Sequence, residues 1–279
     1  MMFLDHELKL LETQGYEEVK ALLDEWSLVR KNMHANIDLA KIFLPNYFFI
    51  ADPGVGLSHL VNVISEHLFS LGIIPFSNTQ KYIEFLLEYD ENSQTFKSFE
   101  RLYNLLEHGL SQYGQPFAGV LMIHITEWIQ KGEYTSEKFH RFLDYLTQRD
   151  DIQMIIFVSE SSRHVDNQAT ESLISEKLRI RTVRISTSPA EVLLEKLVYL
   201  ISNLGIEIEE DGKALLLNTI QHAMKSRSFN GMLTIKSLAK DIAYETYRQK
   251  NMKQTPLTAK DLVMFDVKGS WLKQLDYKL

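Results

Sequence analysis

Residues 51–58, Ala-Asp-Pro-Gly-Val-Gly-Leu-Ser, have the pattern of a phosphate-binding loop in which the lysine is replaced. The motif G-x-x-x-x-G-K-[ST] requires Gly-Lys-Ser/Thr at its end. Gly56 and Ser58 keep their places here, whereas Leu57 stands where the lysine belongs. That lysine normally neutralises the β and γ oxygens of a nucleotide while backbone N–H groups surround the phosphates. The spacing therefore predicts the shape of the loop without its positive charge.

The rest of this degenerate nucleotide loop adds a turn and a negative charge. Pro53-Gly54 makes the turn, Val55 completes the loop, and Asp52 brings a carboxylate toward the place of the phosphates. We expect no productive hydrolysis at this loop. The N-terminus of the following helix still offers N–H donors, which leaves weak ADP or ATP binding open. A loop that only connects a strand to a helix is the alternative interpretation.

The segments around this loop alternate between apolar runs and helical periodicity. The runs that predict buried strands are 46–51, 119–125, 154–158 and 182–186. The segments with helical spacing are 4–30, divided at Gly15, then 59–71, 97–112, 136–148 and 171–179. Strands that alternate with helices predict a parallel sheet covered on both faces.

A change of pattern near residue 187 predicts two domains. Residues 1–186 form an α/β domain with N-terminal helices, and residues 187–279 form a small all-α domain with a C-terminal tail. The helices expected in the second domain are 189–203, 210–224, 231–250 and 258–264. Ser188-Pro189 supports the boundary, because serine caps helices and proline favours the first helical position.

The composition of the 279 residues excludes several classes of function. Cysteine is absent, which excludes disulfides, Cys-ligated zinc and thiol nucleophiles and favours a reducing cytoplasm. The net charge of −7 argues against non-specific binding to nucleic acid. The sequence shows neither a signal pattern nor an apolar run of about 20 residues, so we expect a cytoplasmic protein without a membrane span. The scattered histidines lack metal-binding spacing, so we expect no metal site.

The order of these segments resembles that of AAA+ ATPases, and within them the branch of red-type Rubisco activases and sporulation stage V protein K. The segments that carry the resemblance are 15–20, 44–60, 119–126, 173–203, 207–217 and 230–238. They are similar to the start of the family's domain, its strand and phosphate loop, its Walker B strand, and parts of its lid. The resemblance implies a parallel-sheet P-loop NTPase domain followed by a helical lid.

Compared with that family, the Walker B strand lacks both of its acids. The family ends this strand in Asp-Glu, for magnesium and for the attacking water, whereas this chain has His124 and Ile125. A neutral imidazole is a poor magnesium ligand because that ion prefers hard oxygen donors. A register shift of two residues would supply Glu127 instead. The plainer interpretation of His124 is a hydrogen-bonded histidine at the end of a strand.

The resemblance also assigns the two sensor positions of the family. Ser159 stands at the first sensor, which contacts the γ-phosphate, although it is equally a plain serine at a strand end. Met232 stands at the second-sensor arginine. Lys225 and Arg227 lie close enough in sequence to substitute for that arginine.

Arg179 is the residue that the resemblance favours as an arginine finger, which acts on the nucleotide of a neighbouring subunit. Such a residue can persist when the subunit's own site is inactive. Lys177 and Arg181 stand beside it, so a solvated basic cluster is the alternative interpretation.

Three aromatic residues, Tyr82, Phe85 and Tyr89, stand where the family can place a pore residue that grips a polypeptide. Their spacing also fits the inner face of a helix, and we favour packing in the core.

The combined loss of charged groups predicts a catalytically inactive AAA+-like protein with no required cofactor. We expect it to act as an assembly, adaptor or regulatory subunit, in a homo- or hetero-oligomer with AAA+ subunits. One alternative is a switch that binds ADP or ATP without efficient hydrolysis. Another is a helicase-loader-like, DNA-associated ATPase, suggested by Leu-Ser-His-Leu after the loop.

Overall fold

The computed structural model divides the chain into two compact units. The residues it describes are 16–32, 44–74, 81–87, 98–108, 117, 119–132, 137–149, 152–161, 166–226, 228–248, 256–267 and 269–276. Of these described residues, those between 16 and 52 and between 57 and 186 belong to the first unit. The second unit contains Pro53–Gly56 and the described residues from 187 onward.

The first unit alternates strands and helices along the chain. Its strands are β1 Asn46–Ala51, β2 Tyr82–Leu86, β3 Val120–His124, β4 Met154–Glu160 and β5 Ile180–Ile185. Its helices are α1 Glu17–Asn32, α2 Leu57–Ser70, α3 Ser98–His108, α4 Thr126–Gln130, α5 Glu137–Thr147 and α6 Asn167–Ser175. The described strands form one parallel sheet in the order β2-β3-β4-β1-β5. The predicted α/β fold is therefore confirmed.

Strand β2 corrects the expectation of a helical face through Tyr82 and Phe85. Tyr82–Leu86 pairs in parallel with β3, with Leu86 opposite His124. Phe85 is buried in the apolar core, as we favoured, whereas Tyr89 lies outside the described residues. The overlooked signal is the alternation of Ile83, Phe85 and Leu87 with polar or exposed residues, which is the period of a half-buried strand.

The start of α6 lies earlier than the helix expected at 171–179. The side chain of Asp166 accepts a hydrogen bond from the Ala169 backbone N–H at 3.0 Å, which caps the helix N-terminus. Since a capping aspartate satisfies a helix's orphan N–H groups, this residue fixes the start at Asn167.

One face of the sheet carries a large apolar cluster. Strand residues such as Ile50, Ile123 and Phe157 pack there with side chains from α3, α4, α5 and α6. Because neighbouring residues of a strand face opposite sides, His124 points to the other face of the sheet. That face receives Trp26 of α1, whose ring meets the ring of Tyr47 edge-on at 5.7 Å.

The second unit is helical around its own apolar core. Its helices are α7 Ala190–Ser202, α8 Glu210–Ala223, α9 Gly231–Arg248 and α10 Ser270–Asp276, with a short 3₁₀ turn at Val263–Phe265. The expected helix at 258–264 is wrong, because this stretch holds turns that lead into the 3₁₀ segment. Leu262, Phe265 and Trp271 nevertheless contribute buried side chains to the core. No helix in the described ranges is long and apolar enough to cross a membrane.

His67 links α2 to α1 inside the first unit. Its Nε2 lies 2.9 Å from the hydroxyl of Ser27 and 3.2 Å from the carbonyl of Leu23. Burial lowers the pKa of His67, and the hydrogen bond to Leu23 opposes that shift only in part. The neutral imidazole is therefore the form that the folded chain favours.

We expect the stability of the first unit to fall as the pH is lowered through the range in which histidine titrates. The unfolded chain binds a proton at the ordinary histidine pKa, whereas folded His67 resists it, so unfolding is favoured below about pH 6.5. Urea unfolding between about pH 8 and pH 5 should show a smaller pH dependence in His67→Gln than in the wild type. His222→Gln, at an exposed histidine of α8, serves as the control, and an equal pH dependence in wild type and His67→Gln would contradict the assignment.

Candidate functional site

The loop that follows β1 has two glycines in the left-handed region. Gly54 has φ +74° and Gly56 has φ +81°, conformations that residues with a Cβ rarely adopt. Val55 between them is buried, and helix α2 begins directly after the loop at Leu57. The loop thus joins a buried parallel strand to a helix through a turn that needs glycine at both positions.

Ser58, in the first turn of α2, contacts a carboxylate that the sequence pattern did not reveal. Its hydroxyl donates to Oε1 of Glu84 at 3.0 Å, and Nε2 of His124 lies 2.8 Å from the same oxygen. Glu84 and His124 come from the adjacent strands β2 and β3, on the side of the sheet opposite Ile83 and Ile123. The structure therefore brings Ser58 and His124 together through Glu84.

The hydrogen bonds stabilise Glu84 as a charged carboxylate. The bond from His124 contributes most to lowering the pKa of Glu84, burial opposes it, and the bond from Ser58 lowers it further. All three side chains remain partly open to solvent, so the contact is polar and accessible. His124 is thus a hydrogen-bonded histidine at a strand end, in agreement with the plainer of its two interpretations.

The donor atoms around Ser58 fit a magnesium–nucleotide complex poorly. Ser58 and Glu84 offer hard oxygens, but the Glu84 oxygen already accepts from an imidazole, and imidazole nitrogen is not a donor that Mg²⁺ prefers. Leu57 supplies no charge for the β and γ phosphates. Within the described ranges, no group of three or more His, Cys, Asp and Glu side chains is placed to hold a metal ion.

The remaining residues of the predicted Walker B and first-sensor positions are separated from this contact. Ile125 is fully buried and its N–H donates to the carbonyl of Val158 at 2.9 Å. Ser159 follows Phe157 by two residues and so lies on the apolar-cluster face of β4, away from His124. Its hydroxyl is fully buried and makes no hydrogen bond within the described part of the chain.

Asp52 is held by the residue that follows β4. The hydroxyl of Ser161 donates to Oδ1 of Asp52, and the Ser161 backbone N–H donates to the carbonyl of Ala51 at 3.1 Å. The Asp52 N–H in turn donates to the carbonyl of Ile185 at 2.9 Å. Ser161, rather than Ser159, is therefore the serine that reaches the loop.

Within the second unit, the start of α9 packs directly on Gly54. The backbone N–H of Met232 donates to the Gly54 carbonyl at 3.0 Å. A Cβ on Gly54 would lie 2.3 Å from the backbone of Asn230, and a Cβ on Gly231 would lie 2.4 Å from the Gly54 carbonyl oxygen. Two glycines thus allow two backbone segments to touch.

Two backbone N–H groups at the N-terminus of α9 already have acceptors in this packing. Met232 N–H bonds to Gly54, and the Asn230 N–H donates to the hydroxyl of Thr234 at 2.8 Å. A helix N-terminus attracts phosphate when its N–H groups are free. The residue at the predicted second-sensor position, Met232, packs its side chain against the apolar core of the second unit. Of the two predicted substitutes, Lys225 is exposed and Arg227 lies outside the described residues.

Arg179 is exposed just before β5, whereas the two other members of the basic cluster form ion pairs. Lys177 pairs with Asp144 at 2.7 Å and Arg181 pairs with Glu25 at 2.8 Å. The backbone carbonyl of Arg179 accepts from the Asn46 N–H, while its guanidinium makes no hydrogen bond or ion pair with the described residues. Arg179 is therefore the member of the basic cluster that stays available.

We expect the His124→Leu substitution to raise the pKa of the Glu84 carboxyl toward its ordinary value of 4.5. The hydrogen bond from His124 is the largest cause of the lowered pKa, so its removal destabilises the carboxylate. A carboxyl ¹³C NMR titration measures this directly. Ser58→Ala should raise the pKa of Glu84 by less, and an unchanged Glu84 pKa in His124→Leu would contradict the described contact.

We expect Gly54→Ala to destabilise the protein more than Gly56→Ala. Both substitutions impose strain of about 1–2 kcal/mol from a left-handed backbone, but only the first also forces a Cβ into the backbone of Asn230. Apart from its chain neighbours, no atom of the described residues lies within 4 Å of a Cβ added at Gly56. Overpacking should add roughly 1–3 kcal/mol to the loss of unfolding free energy in urea. Equal losses in the two variants would show that Gly54 and Asn230 are not in contact.

Similar proteins were found only among solved structures. No protein-family model and no curated protein sequence matches the chain. One single-substitution form of RuvB from Thermotoga maritima matches with TM-score 0.51 and 16% identity over 90% of this chain and 68% of that one. A second single-substitution form of the same protein matches with TM-score 0.50 and 15% identity over 86% and 68%. Domain III of the Thermotoga maritima replication initiation protein DnaA gives a TM-score of 0.48 with 13% identity over 90% and 91%.

At these identities the likeness concerns the fold alone. The chain has a fold like that of RuvB from Thermotoga maritima. In this chain the fold consists of a parallel sheet flanked by helices and of a helical region after residue 187.

Proposed function

We propose that this protein is a catalytically inactive member of the AAA+ fold that acts as an assembly, adaptor or regulatory subunit. It works in a homo- or hetero-oligomer with AAA+ subunits, of the Rubisco-activase and stage V protein K branch. The observation that carries the proposal is the contact of Ser58, Glu84 and His124. In this contact a carboxylate accepts from Ser58 and lies 2.8 Å from the imidazole of His124, the residue at the predicted position of the magnesium-binding aspartate.

The charges around the loop support this proposal. A productive site places a lysine and a divalent cation against the transferred phosphate. Here Leu57 is apolar, so position 57 supplies no positive charge to offset the repulsion between a polyphosphate and the carboxylates of Asp52 and Glu84. Ile125 is buried and has no group that polarises water. The N–H of Met232, near the second-sensor position, is used by the Gly54 carbonyl.

Arg179 supports a role in an assembly. An arginine that acts in trans must be exposed and unpaired, and the Arg179 guanidinium meets both conditions among the described residues. Such an arginine raises phosphoryl transfer in a neighbouring active subunit by roughly 10³-fold or more. The inactive chain would then contribute to the neighbour's site rather than to its own.

We expect the purified protein to release no phosphate from ATP and Mg²⁺ above the buffer background. Leu57→Lys should bind ATP roughly 10-fold or more tightly than the wild type in isothermal titration, because it restores a charge-assisted hydrogen bond to phosphate. Leu57→Met, of similar size but uncharged, is the matched control. Phosphate release that Ser58→Ala abolishes would overturn the proposal, because it would locate an active site at this loop.

A second candidate is a switch that binds ADP or ATP without efficient hydrolysis. The retained left-handed loop glycines and the carboxylate of Glu84 beside Ser58 favour it, since a carboxylate that accepts from this hydroxyl could orient a hydrated cation. Heat from millimolar nucleotide with the wild-type protein, lost in Glu84→Ala, would favour the switch over the inactive subunit.

A DNA-associated ATPase is the remaining alternative. RuvB from Thermotoga maritima is described as a Holliday junction branch migration motor. The likeness to RuvB gives no support to the expectation that nucleic acid is an unlikely partner, and that expectation rests on the net charge alone.

A further inference from the structure

The exposed residues on one face of α9 are cationic or large and apolar. The exposed residues of this helix are Leu233, Lys236, Lys240, Tyr244, Tyr247 and Arg248. The first five follow steps of three or four residues, so they form one stripe along the helix, about 21 Å long at 1.5 Å per residue. We call these five residues the α9 stripe.

The two acids of α9 are engaged by side chains outside the stripe. Asp241 accepts a hydrogen bond from the indole N–H of Trp271 at 3.0 Å, and Glu245 pairs with Arg248 at 2.6 Å. Lys236 and Lys240 make no hydrogen bond or ion pair with the described residues. Two lysines one helical turn apart thus remain open to a partner.

The apolar members of the stripe are too exposed to serve the core. Leu233 is 60% exposed, Tyr244 67% and Tyr247 53%. The hydroxyl of Tyr247 donates to the carbonyl of Leu204 at the end of α7, which fixes the ring while its face stays open. A ring that is already held loses little conformational entropy on binding. Tyr199 of α7 and Leu204, which follows α7, are also exposed. Exposed apolar side chains that lie together, as those of Tyr247 and Leu204 do, mark interaction sites.

We propose that the α9 stripe docks an acidic, amphipathic helix of another protein. The partner would place apolar residues on Leu233 and on Tyr244 with Tyr247, and two carboxylates at positions i and i+4 against Lys236 and Lys240. Helix-on-helix recognition reads anchors at these spacings. This inference goes beyond the proposed function and does not depend on whether the loop binds nucleotide.

The charges favour a polypeptide over nucleic acid at this surface. Residues 187–279 hold 13 Lys and Arg against 11 Asp and Glu, a net charge of +2, whereas residues 1–186 hold 17 against 26, a net charge of −9. Affinity for nucleic acid grows with the number of phosphates neutralised, and the stripe offers two unpaired lysines. A few ion pairs around an apolar centre are instead the usual composition of a protein interface.

Fluorescence anisotropy with three labelled probes tests the proposal on the full chain. The first probe is an 18-residue helical peptide that carries Glu at i and i+4 between leucines. The second has Lys in place of those two Glu residues, and the third is a 20-nucleotide oligothymidylate. We expect the Glu peptide to bind and the other two to bind at least 10-fold more weakly.

Substitutions then locate the binding surface. Lys236→Glu with Lys240→Glu should weaken the Glu peptide at least 10-fold and favour the Lys peptide. Tyr244→Ser should weaken both peptides. Lys225→Glu with Lys260→Glu changes the charge by the same four units at exposed sites outside the stripe and should leave binding unchanged. Circular dichroism of each variant shows whether it is folded.

Other results would overturn the proposal. No binding of the Glu peptide, equal binding of the Glu and Lys peptides, or no effect of the stripe variants would each exclude it. Tighter binding of oligothymidylate, lost in Lys236→Glu/Lys240→Glu, would assign the surface to single-stranded nucleic acid. A sedimentation coefficient that falls in the stripe variants would assign it to a second copy of this chain.

Discussion

The carboxylate of Glu84 holds the first turn of α2, strand β2 and the end of β3 together. It accepts from Ser58 and lies in hydrogen-bond distance of His124, so one oxygen atom connects the first turn of α2 with β3. A carboxylate in this position has a direct electrostatic consequence, because it repels phosphate and attracts cations. The described partners of this oxygen are the imidazole of His124 and the hydroxyl of Ser58.

The contact between the backbone of the loop and the backbone at the start of α9 is a second constraint on the loop. Gly54 and Gly231 lack a Cβ, and the resulting approach lets the Gly54 carbonyl cap the start of α9. In a phosphate-binding loop the groups that matter are N–H donors directed at the ligand. In this chain a carbonyl of the same loop serves as an acceptor for a helix, so the loop has a structural task that requires no ligand.

The sequence predicted most of the fold because the signals were local. Apolar runs located β1, β3, β4 and β5, and helical periodicity located most helices to within a few residues. Strand β2 was missed because Tyr82 and Phe85 suggested a helical spacing, and that error concealed Glu84. A contact between residues 58, 84 and 124 depends on the register of two strands, which no local pattern encodes. The same limit applies to Ser161, which reaches Asp52 only because β4 lies beside β1.

The uneven distribution of charge along the chain affects how any partner arrives. Residues up to 186 carry a net charge of −9, and the later residues carry a net charge of +2. An acidic protein is therefore repelled by the first unit more than by the second, and this difference acts over about 8 Å at physiological ionic strength. Encounters of such a protein with the second unit would depend on the ionic medium, more than the lifetime of a complex would.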